Sequence, residues 1–337
     1  MTPILIALAL TIAGAATPAS TPPERIGRID RAAPAFDSLV APDASIEKLA
    51  EGFTWAEGPV WIREGHYLLF TDVPGNRIHR WSAADGLSTF LEPSGHPGPD
   101  FTGFREPGAN GLIRGPGNTI LLADHGNRAI ASLDLATRQK TFLATRYQGR
   151  RFSSPNDLVR ASNGTIYFTD PPYGLEGLND SPLKEQPQNG VYRLDPDGTV
   201  TLIDADMTFP NGILLSPDEH TLYVANSDPQ RAIWVAYALD AQGGVSGRRI
   251  FADVTAEVGE ARPGLPDGMA IDVAGNLFAT APGGVIVFAP DGTRLGLIAT
   301  GTAIANCTFG GDDGSVLYLA SHNMLARVAT RTRGLGF

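Results

Sequence analysis

The amino-acid sequence predicts an all-β protein, a six-bladed β-propeller closed by an N-terminal strand. The first observation is a short pattern that occurs six times: Ala or Pro, then an oxygen-bearing side chain, then usually a small or turn-forming residue, then a mostly apolar run. The oxygen-bearing residues are Glu57, Asn110, Asn156, Asn211, Asp267 and Asn306, at intervals of 53, 46, 55, 56 and 39 residues. Spacings of this size are typical of propeller repeats. The second observation is the content of 39 Gly and 26 Pro, which suits many short strands joined by turns.

Each copy of the pattern is followed by a tight turn and then by a strand rich in Tyr, Leu, Ile, Val and Phe, as expected in the middle of a sheet. These second strands are predicted at 67–72, 119–124, 165–170, 221–226, 276–280 and 315–321. Third strands are predicted at 129–135, 190–194, 233–239 and 285–289, and fourth strands at 139–144, 199–203 and 248–253.

The last unit stops after its third strand, near 324–329. Residues 45–49, ahead of the first copy, alternate as a strand does, so we expect them to supply the missing outer strand and close the ring. Long connections are predicted at 93–109, 145–155, 171–189, 227–231 and 256–266, on the face where each inner strand begins. Long loops over convergent polar groups favour a binding face.

Composition excludes some classes of partner. The chain has 337 residues, a net charge of −10 and no Lys/Arg cluster, so nucleic acid is not expected to bind. Cys307 is the single cysteine and therefore forms no intramolecular disulfide. A closed ring has no obvious unpaired edge, which favours a monomer.

The N-terminus predicts export. Residues 4–16 form an uncharged apolar run that is too short to span a bilayer but suits a signal peptide, although no Lys or Arg precedes it. We therefore divide the chain into a signal peptide (1–19), an N-terminal arm (20–44) and a propeller catalytic domain (45–337). The expected location is periplasmic or secreted, with no membrane anchor. The alternative is a disordered apolar tail.

The repeated position also predicts a metal site. If each copy opens the innermost strand of its blade, all six side chains converge on one end of the central channel. A ring of carboxylate and amide oxygens is what a hard cation such as Ca²⁺ requires.

The chain resembles the senescence-marker-protein/gluconolactonase/luciferin-regenerating-enzyme-like family of six-bladed propellers. The resemblance extends from about Ile46 to Ala329, and five motifs in order at blade spacing are more specific than any one of them. Its main stretches are Glu57-Gly58-Pro59-Val60-Trp61, 151–158 around Pro155-Asn156-Asp157, Thr169-Asp170-Pro171-Pro172-Tyr173-Gly174, Pro210-Asn211-Gly212 and Pro266-Asp267-Gly268, with Asn306-Cys307-Thr308-Phe309-Gly310-Gly311 in addition.

The resemblance implies a divalent ion held by Glu57, Asn156, Asn211 and Asp267. The absence of His and Cys from this set favours Ca²⁺ over Zn²⁺, while Mg²⁺ and Mn²⁺ stay open. The alternative is that the four residues only cap strands. The implied reaction is hydrolysis of a small-molecule lactone, with the ion polarising the carbonyl and Asp267 as acid/base or as nucleophile.

Five residues are candidates for contact with substrate: Asn110, Arg151, Asn156, His125 and Tyr173. Arg151 matches a substrate-contacting Arg of the family, with a solvated loop position as the alternative. His125 and Tyr173 are predicted on the binding face, where packing or capping is an equal possibility. Competing functions are a promiscuous esterase or organophosphate hydrolase on the same ion, and a non-catalytic ligand-binding propeller.

Overall fold

A computed structural model describes residues 23–336, and within them the chain is almost entirely β-structure. It contains 28 strands and four short 3₁₀ turns, the latter at Pro34–Ser38, Arg63–Gly65, Leu178–Asp180 and Thr255–Glu257. In this part of the chain no helix is long and apolar enough to cross a membrane. Six of the seven sheets that these strands form are arranged as the blades of a propeller, which confirms the predicted fold class.

Blades 1 to 4 are four-stranded antiparallel sheets in which consecutive strands pair. Blade 1 contains β4–β7 (Ala56–Ile62, Tyr67–Asp72, Arg77–Ser82, Gly86–Leu91), and blade 2 contains β8–β11 (Ala109–Arg114, Thr119–Asp124, Ala129–Asp134, Lys140–Ala144). Blade 3 contains β14–β17 (Leu158–Arg160, Ile166–Asp170, Gly190–Leu194, Val200–Asp204), and blade 4 contains β18–β21 (Pro210–Leu215, Thr221–Asp228, Arg231–Leu239, Val245–Asp253). A separate hairpin, β12 and β13 (Arg146–Tyr147 and Arg150–Arg151), lies between blades 2 and 3 in the sequence.

Blades 5 and 6 each take strands from the N-terminal segment. Blade 5 adds β2 (Arg28–Arg31) to β22–β25 (Met269–Ile271, Leu277–Ala281, Gly284–Phe288, Arg294–Ala299), and blade 6 adds β3 (Ile46–Glu51) and β1 (Arg25–Ile26) to β26–β28 (Asn306–Gly310, Val316–Ser321, Met324–Ala329). Strand β3 pairs antiparallel with β28, so the predicted closing strand is present.

The segment before the closing strand crosses from one blade to the next. Strand β1 pairs with β3 of blade 6, whereas β2 pairs with β25 of blade 5. Gly27 joins them at φ +64°, and a Cβ there would lie 1.9 Å from the carbonyl oxygen of Ala299. Phe36, which is fully buried, then packs into the core between blades 5 and 6. The N-terminal segment thus binds blade 6, where the ring closes, and its neighbour blade 5.

The hydrophobic core is divided among the contacts between neighbouring blades. Between blades 1 and 2, for example, Leu69 and Ile78 pack with Leu122 and Ala131. Five further clusters join the other neighbouring pairs, including blade 6 to blade 1. Each blade packs against a neighbour on both of its surfaces. The second strand of each blade is therefore buried along most of its length.

The long connections lie where they were predicted, with one exception. Residues 227–231 were expected to form a loop, but β19 continues to Asp228 and β20 begins at Arg231. The carboxylate of Asp228 accepts a hydrogen bond from the backbone N–H of Gln230 at 2.9 Å, which stabilises a tight turn instead. The difference arises because the Asp228 side chain accepts a hydrogen bond from the backbone of its own turn, so the two strands can be joined without a longer loop.

Candidate metal centre and active site

The repeated polar residues converge as the sequence predicts. Five of the six line one cavity of about 620 Å³, together with Tyr173 and several apolar side chains. These five are Glu57, Asn110, Asn156, Asn211 and Asp267. The sixth, Asn306, turns aside, and its Nδ2 donates a hydrogen bond to Glu57 Oε2 at 3.1 Å. Asn306 therefore orients a member of the ring.

The glycine that follows most ring residues has a steric cause. A Cβ on Gly58 would lie 2.1 Å from the carbonyl oxygen of Asn110, and one on Gly212 would lie 2.1 Å from that of Asp267. Neighbouring inner strands also bond directly, since the N–H of Gly111 donates to the carbonyl of Asn156 at 2.9 Å. The small residue in the repeat thus lets the backbones of adjacent blades meet around the channel.

Replacing Gly212 with Ala is a test of this close approach. Because the Cβ would meet backbone, which cannot rotate away, we expect the free energy of unfolding to fall by roughly 1–3 kcal/mol. Denaturant unfolding measures the change. Gly259→Ala is the matched control, because a Cβ there meets nothing within 4 Å. Equal stability of the two variants would contradict the steric explanation.

Glu57 is buried at the start of β4, with 3% of its surface exposed. Its Oε2 accepts hydrogen bonds from the N–H of Gly58 at 2.5 Å and from Asn306. Burial, and then the nearby carboxylate of Asp157, raise the pKa of Glu57 to about 8. The side chain is therefore held in place in surroundings that disfavour its ionised form.

Asp267 shares this electrostatic environment. Burial raises its pKa well above the usual range, and the carboxylates of Glu57, Asp157 and Glu106 raise it further. Its backbone N–H donates to Thr280 Oγ1 at 3.1 Å, which holds the backbone just before β22 in place. The side chain of Asp267 lines the cavity. A divalent cation is the group that would relieve this crowding of negative charge.

The amide side chains present oxygen to the same cavity. Asn211 Nδ2 donates to Ser227 Oγ at 2.9 Å, and Ser227 in turn donates to the carbonyl of Pro266. With its nitrogen committed, Asn211 has its Oδ1 free for a ligand. The backbone N–H of Asn156 donates to the carbonyl of Thr169 at 2.9 Å, which fixes the position of that amide. Two carboxylates and two amide oxygens on four blades fit a hard cation such as Ca²⁺.

The other predicted substrate contacts separate into two groups. Tyr173 lines the cavity, stacks on Phe209 with ring centroids 5.7 Å apart, and has a buried hydroxyl without a hydrogen-bond partner among residues 23–336. His125 is fully buried and lies behind Asn110, so it does not face the cavity. Arg151 lies on β13, where its Nη2 donates to the carbonyl of Asn127 at 2.8 Å, away from the cavity wall.

Comparison with known proteins agrees with this arrangement. The sequence profile described as the SMP-30/Gluconolactonase/LRE-like region matches residues 55–323. The chain belongs to this family. The resemblance proposed from the motifs is therefore confirmed.

Relatives of known name support the same assignment. A gluconolactonase of Zymomonas mobilis is 47% identical over 314 residues, covering 92% of this chain and 88% of that protein. The pentonolactonase XacC of Haloferax volcanii is 28% identical over 268 residues, covering 79% and 80%. Among solved structures, a gluconolactonase from Xanthomonas campestris superposes with a TM-score of 0.78 at 31% identity, covering 93% of this chain and 98% of that one.

This member of the SMP-30/gluconolactonase/LRE-like family also places two charged residues in the cavity that the sequence did not reveal. Arg105 and Glu106 come from the connection between blades 1 and 2, and Arg105 Nη2 donates to Glu106 Oε1 at 2.7 Å. Their backbone N–H groups donate to the carbonyl of Gly174, at 3.0 and 3.3 Å. The only sequence motif connected with these two residues is Pro171-Pro172-Tyr173-Gly174, because the carbonyl of Gly174 bonds its loop to the loop that carries Arg105 and Glu106.

Proposed function

We propose that this protein hydrolyses a sugar lactone, such as gluconolactone, to the free sugar acid. The observation that carries the proposal is that Glu57, Asn156, Asn211 and Asp267 open into one cavity of about 620 Å³. That volume suits a small ligand. The gluconolactonase and pentonolactonase relatives support a lactonase.

We further propose that a divalent ion, Ca²⁺ by the chemistry of the ligands, is held by these same four residues. When bound, such an ion supplies a Lewis acid for the lactone carbonyl. The structure supports the proposal through the oxygen-only ligand set and the unrelieved negative charge around Glu57 and Asp267.

The side chains of this chain have separate parts in the proposed reaction. Water attacks the carbonyl carbon, Asp267 accepts the proton, and the same proton passes to the ring oxygen as the ester C–O bond breaks. Asn110 and Asn156 face the cavity with polar atoms that can bind the lactone hydroxyls, and Tyr173 also lines it. Trp55, Leu265 and Ile304 form apolar walls against which the carbon skeleton packs.

The experiment is a pH-stat assay of acid release from gluconolactone, using metal-stripped protein to which Ca²⁺ is returned. We expect hydrolysis well above the spontaneous rate, and loss of it in Glu57→Gln. The exposed Glu64→Gln serves as the matched control. An aryl ester and a phosphotriester assayed beside the lactone test the esterase and organophosphate alternatives. The proposal would be refuted if the wild-type protein hydrolysed the lactone no faster than buffer alone, whichever divalent ion was added.

We also propose that the protein is exported. The predicted signal peptide, residues 1–19, lies outside the described residues, so the argument rests on the apolar run at 4–16. Mass spectrometry of protein from its native host should give a mature chain that starts near residue 16 to 20. Recovery of soluble protein with an intact Met1 would reject export.

For the oligomeric state we propose a monomer, because strand β3 completes blade 6 and closes the ring within one chain. Analytical ultracentrifugation of the purified protein should give a single species near 35.6 kDa less the signal peptide. A concentration-independent dimer would contradict this proposal.

A further inference from the structure

His125 stands directly behind the ring residue Asn110, in the turn that follows β9. The imidazole is fully buried, and its Nε2 lies 3.3 Å from Asn110 Nδ2. Its other nitrogen, Nδ1, lies 3.4 Å from Glu106 Oε2. The buried imidazole therefore lies between two residues that both line the cavity.

The packing around the imidazole keeps it in this place. A Cβ on Gly174 would lie 2.8 Å from the Cβ of His125 and 2.8 Å from that of Ser154, so the loop that carries Tyr173 closes tightly over it. Glu106 is held on its far side by Arg105. Neither partner of the imidazole can move away without disturbing the cavity wall.

The chemistry of the three groups fixes their orientation. Nδ1 of His125 has no hydrogen-bond partner among residues 23–336, and the carboxylate oxygen Oε2 of Glu106, 3.4 Å away, favours a proton on that nitrogen. A neutral imidazole protonated at Nδ1 has a lone pair at Nε2, which accepts from the amide nitrogen of Asn110. The carbonyl oxygen of Asn110 must then point the other way, toward the cavity.

We infer that His125 and Glu106 are positioning residues that hold Asn110 Oδ1 toward the cavity, where it accepts a hydrogen bond from a hydroxyl of a polyhydroxylated lactone. This inference rests on the proposed function and refines it, because it assigns part of the preference for hydroxylated substrates to one oriented amide. A site that bonds a substrate hydroxyl discriminates against an analogue that lacks it. A lactone without hydroxyls, such as δ-valerolactone, gains nothing from that orientation.

The first test compares the two lactones in Asn110→Ala, His125→Leu and the double variant, all at saturating Ca²⁺. For gluconolactone we expect KM to rise about tenfold in each single variant, since a hydrogen bond is lost, with kcat little changed. The double variant should show no further rise, because His125 acts through Asn110. The ratio of kcat/KM for gluconolactone to kcat/KM for δ-valerolactone should therefore fall about tenfold in all three variants.

A conservative variant separates orientation from packing. In His125→Gln the side-chain carbonyl can accept from Asn110 and the amide nitrogen can donate to Glu106, so KM for gluconolactone should return toward the wild-type value. Additive effects in the double variant, a fall in kcat at constant KM, or equal losses on both lactones would overturn the inference.

The second test does not depend on activity. Nitrogen-15 NMR of the histidine rings in the wild-type protein should show His125 protonated at Nδ1 and unprotonated at Nε2. The opposite tautomer would turn the amide of Asn110 around and refute the inference. If the wild type hydrolyses neither lactone, the proposed function fails, while the tautomer still decides whether this arrangement exists.

Discussion

Asp267→Asn is expected to lower turnover on a sugar lactone by about 10²- to 10⁴-fold, the usual contribution of a positioned proton-transfer group. Asn has nearly the same size and keeps one oxygen for a cation, but it has no basic carboxylate. Asp267 lies in the wall of the cavity beside Glu57, so its loss removes a base where the lactone would bind. Turnover is to be measured at saturating Ca²⁺, so that weaker ion binding does not contribute.

Asn156→Asp is the matched control for charge, because it changes the charge of the ring without changing the proposed base. Near-wild-type turnover in Asp267→Asn would show that another group accepts the proton. His125 is a poor substitute, since it lies behind Asn110, whereas Glu106 lines the cavity and becomes the next candidate.

A single turnover of the wild type in ¹⁸O-labelled water separates a base from a nucleophile. If Asp267 acts as a base, the label enters the sugar acid directly. If it attacks the carbonyl itself, the ring oxygen leaves and a mixed anhydride forms between Asp267 and the sugar acid. Attack of water on the Asp267 carbonyl of that anhydride leaves the label in the Asp267 side chain, which a base never acquires. Mass spectrometry of the product and of the peptide containing Asp267 gives the answer.

Most of the fold could be predicted because its signals are local and repeated. Strands 67–72 and 119–124 have the predicted bounds, since their β-prone composition and flanking turns depend only on neighbouring residues. The ring residues were found because an oxygen-bearing residue after Ala or Pro recurs at blade spacing, and a glycine follows four of the six.

The part of the site that escaped prediction depends on contacts between distant loops. Arg105 and Glu106 have no periodic pattern, and they reach the cavity only because their backbone bonds to Gly174, about one and a half blades later in the chain. Arg151 was proposed because it matches a substrate-contacting Arg of the family, whereas in the structure its guanidinium is bonded to the carbonyl of Asn127. Sequence spacing identifies which residues begin a strand, but loop conformation decides which charges reach a cavity.

The role of His125 illustrates the same limit. From its position in a turn on the binding face, contact with substrate and packing were equal possibilities. The structure gives it neither role alone, since it is buried and still bonded to a ring residue. No property of residue 125 in isolation distinguishes a residue that contacts substrate from one that orients such a residue.

Removal of the divalent ion is expected to destabilise the protein strongly. Four ligands on four blades mean that the ion binds only the closed ring, so it should add about 2.7 kcal/mol to the free energy of unfolding at a free concentration 100 times its dissociation constant. Thermal unfolding in excess chelator and in added Ca²⁺, with metal analysis of the purified protein, measures the effect. An unchanged melting temperature and no bound metal would defeat the proposed site.

The effect of Asp267→Asn on the melting temperature should depend on the ion: the variant should be more stable than the wild type without Ca²⁺ and less stable with it. Without Ca²⁺, the variant removes one of several carboxylates whose mutual repulsion raises the pKa of Asp267, so its melting temperature should exceed that of the wild type. With Ca²⁺, the wild type gains more, because its two carboxylates bind the ion more strongly than one carboxylate and an amide. The two melting curves should therefore exchange order as the ion is added. Glu64→Gln, an exposed carboxylate outside the ring, should keep the wild-type response in both conditions. A different result would contradict the proposed site. If Asp267→Asn melts below the wild type in chelator, and Ca²⁺ raises both melting temperatures equally, then the carboxylate is held by bonds within the protein and does not bind an ion.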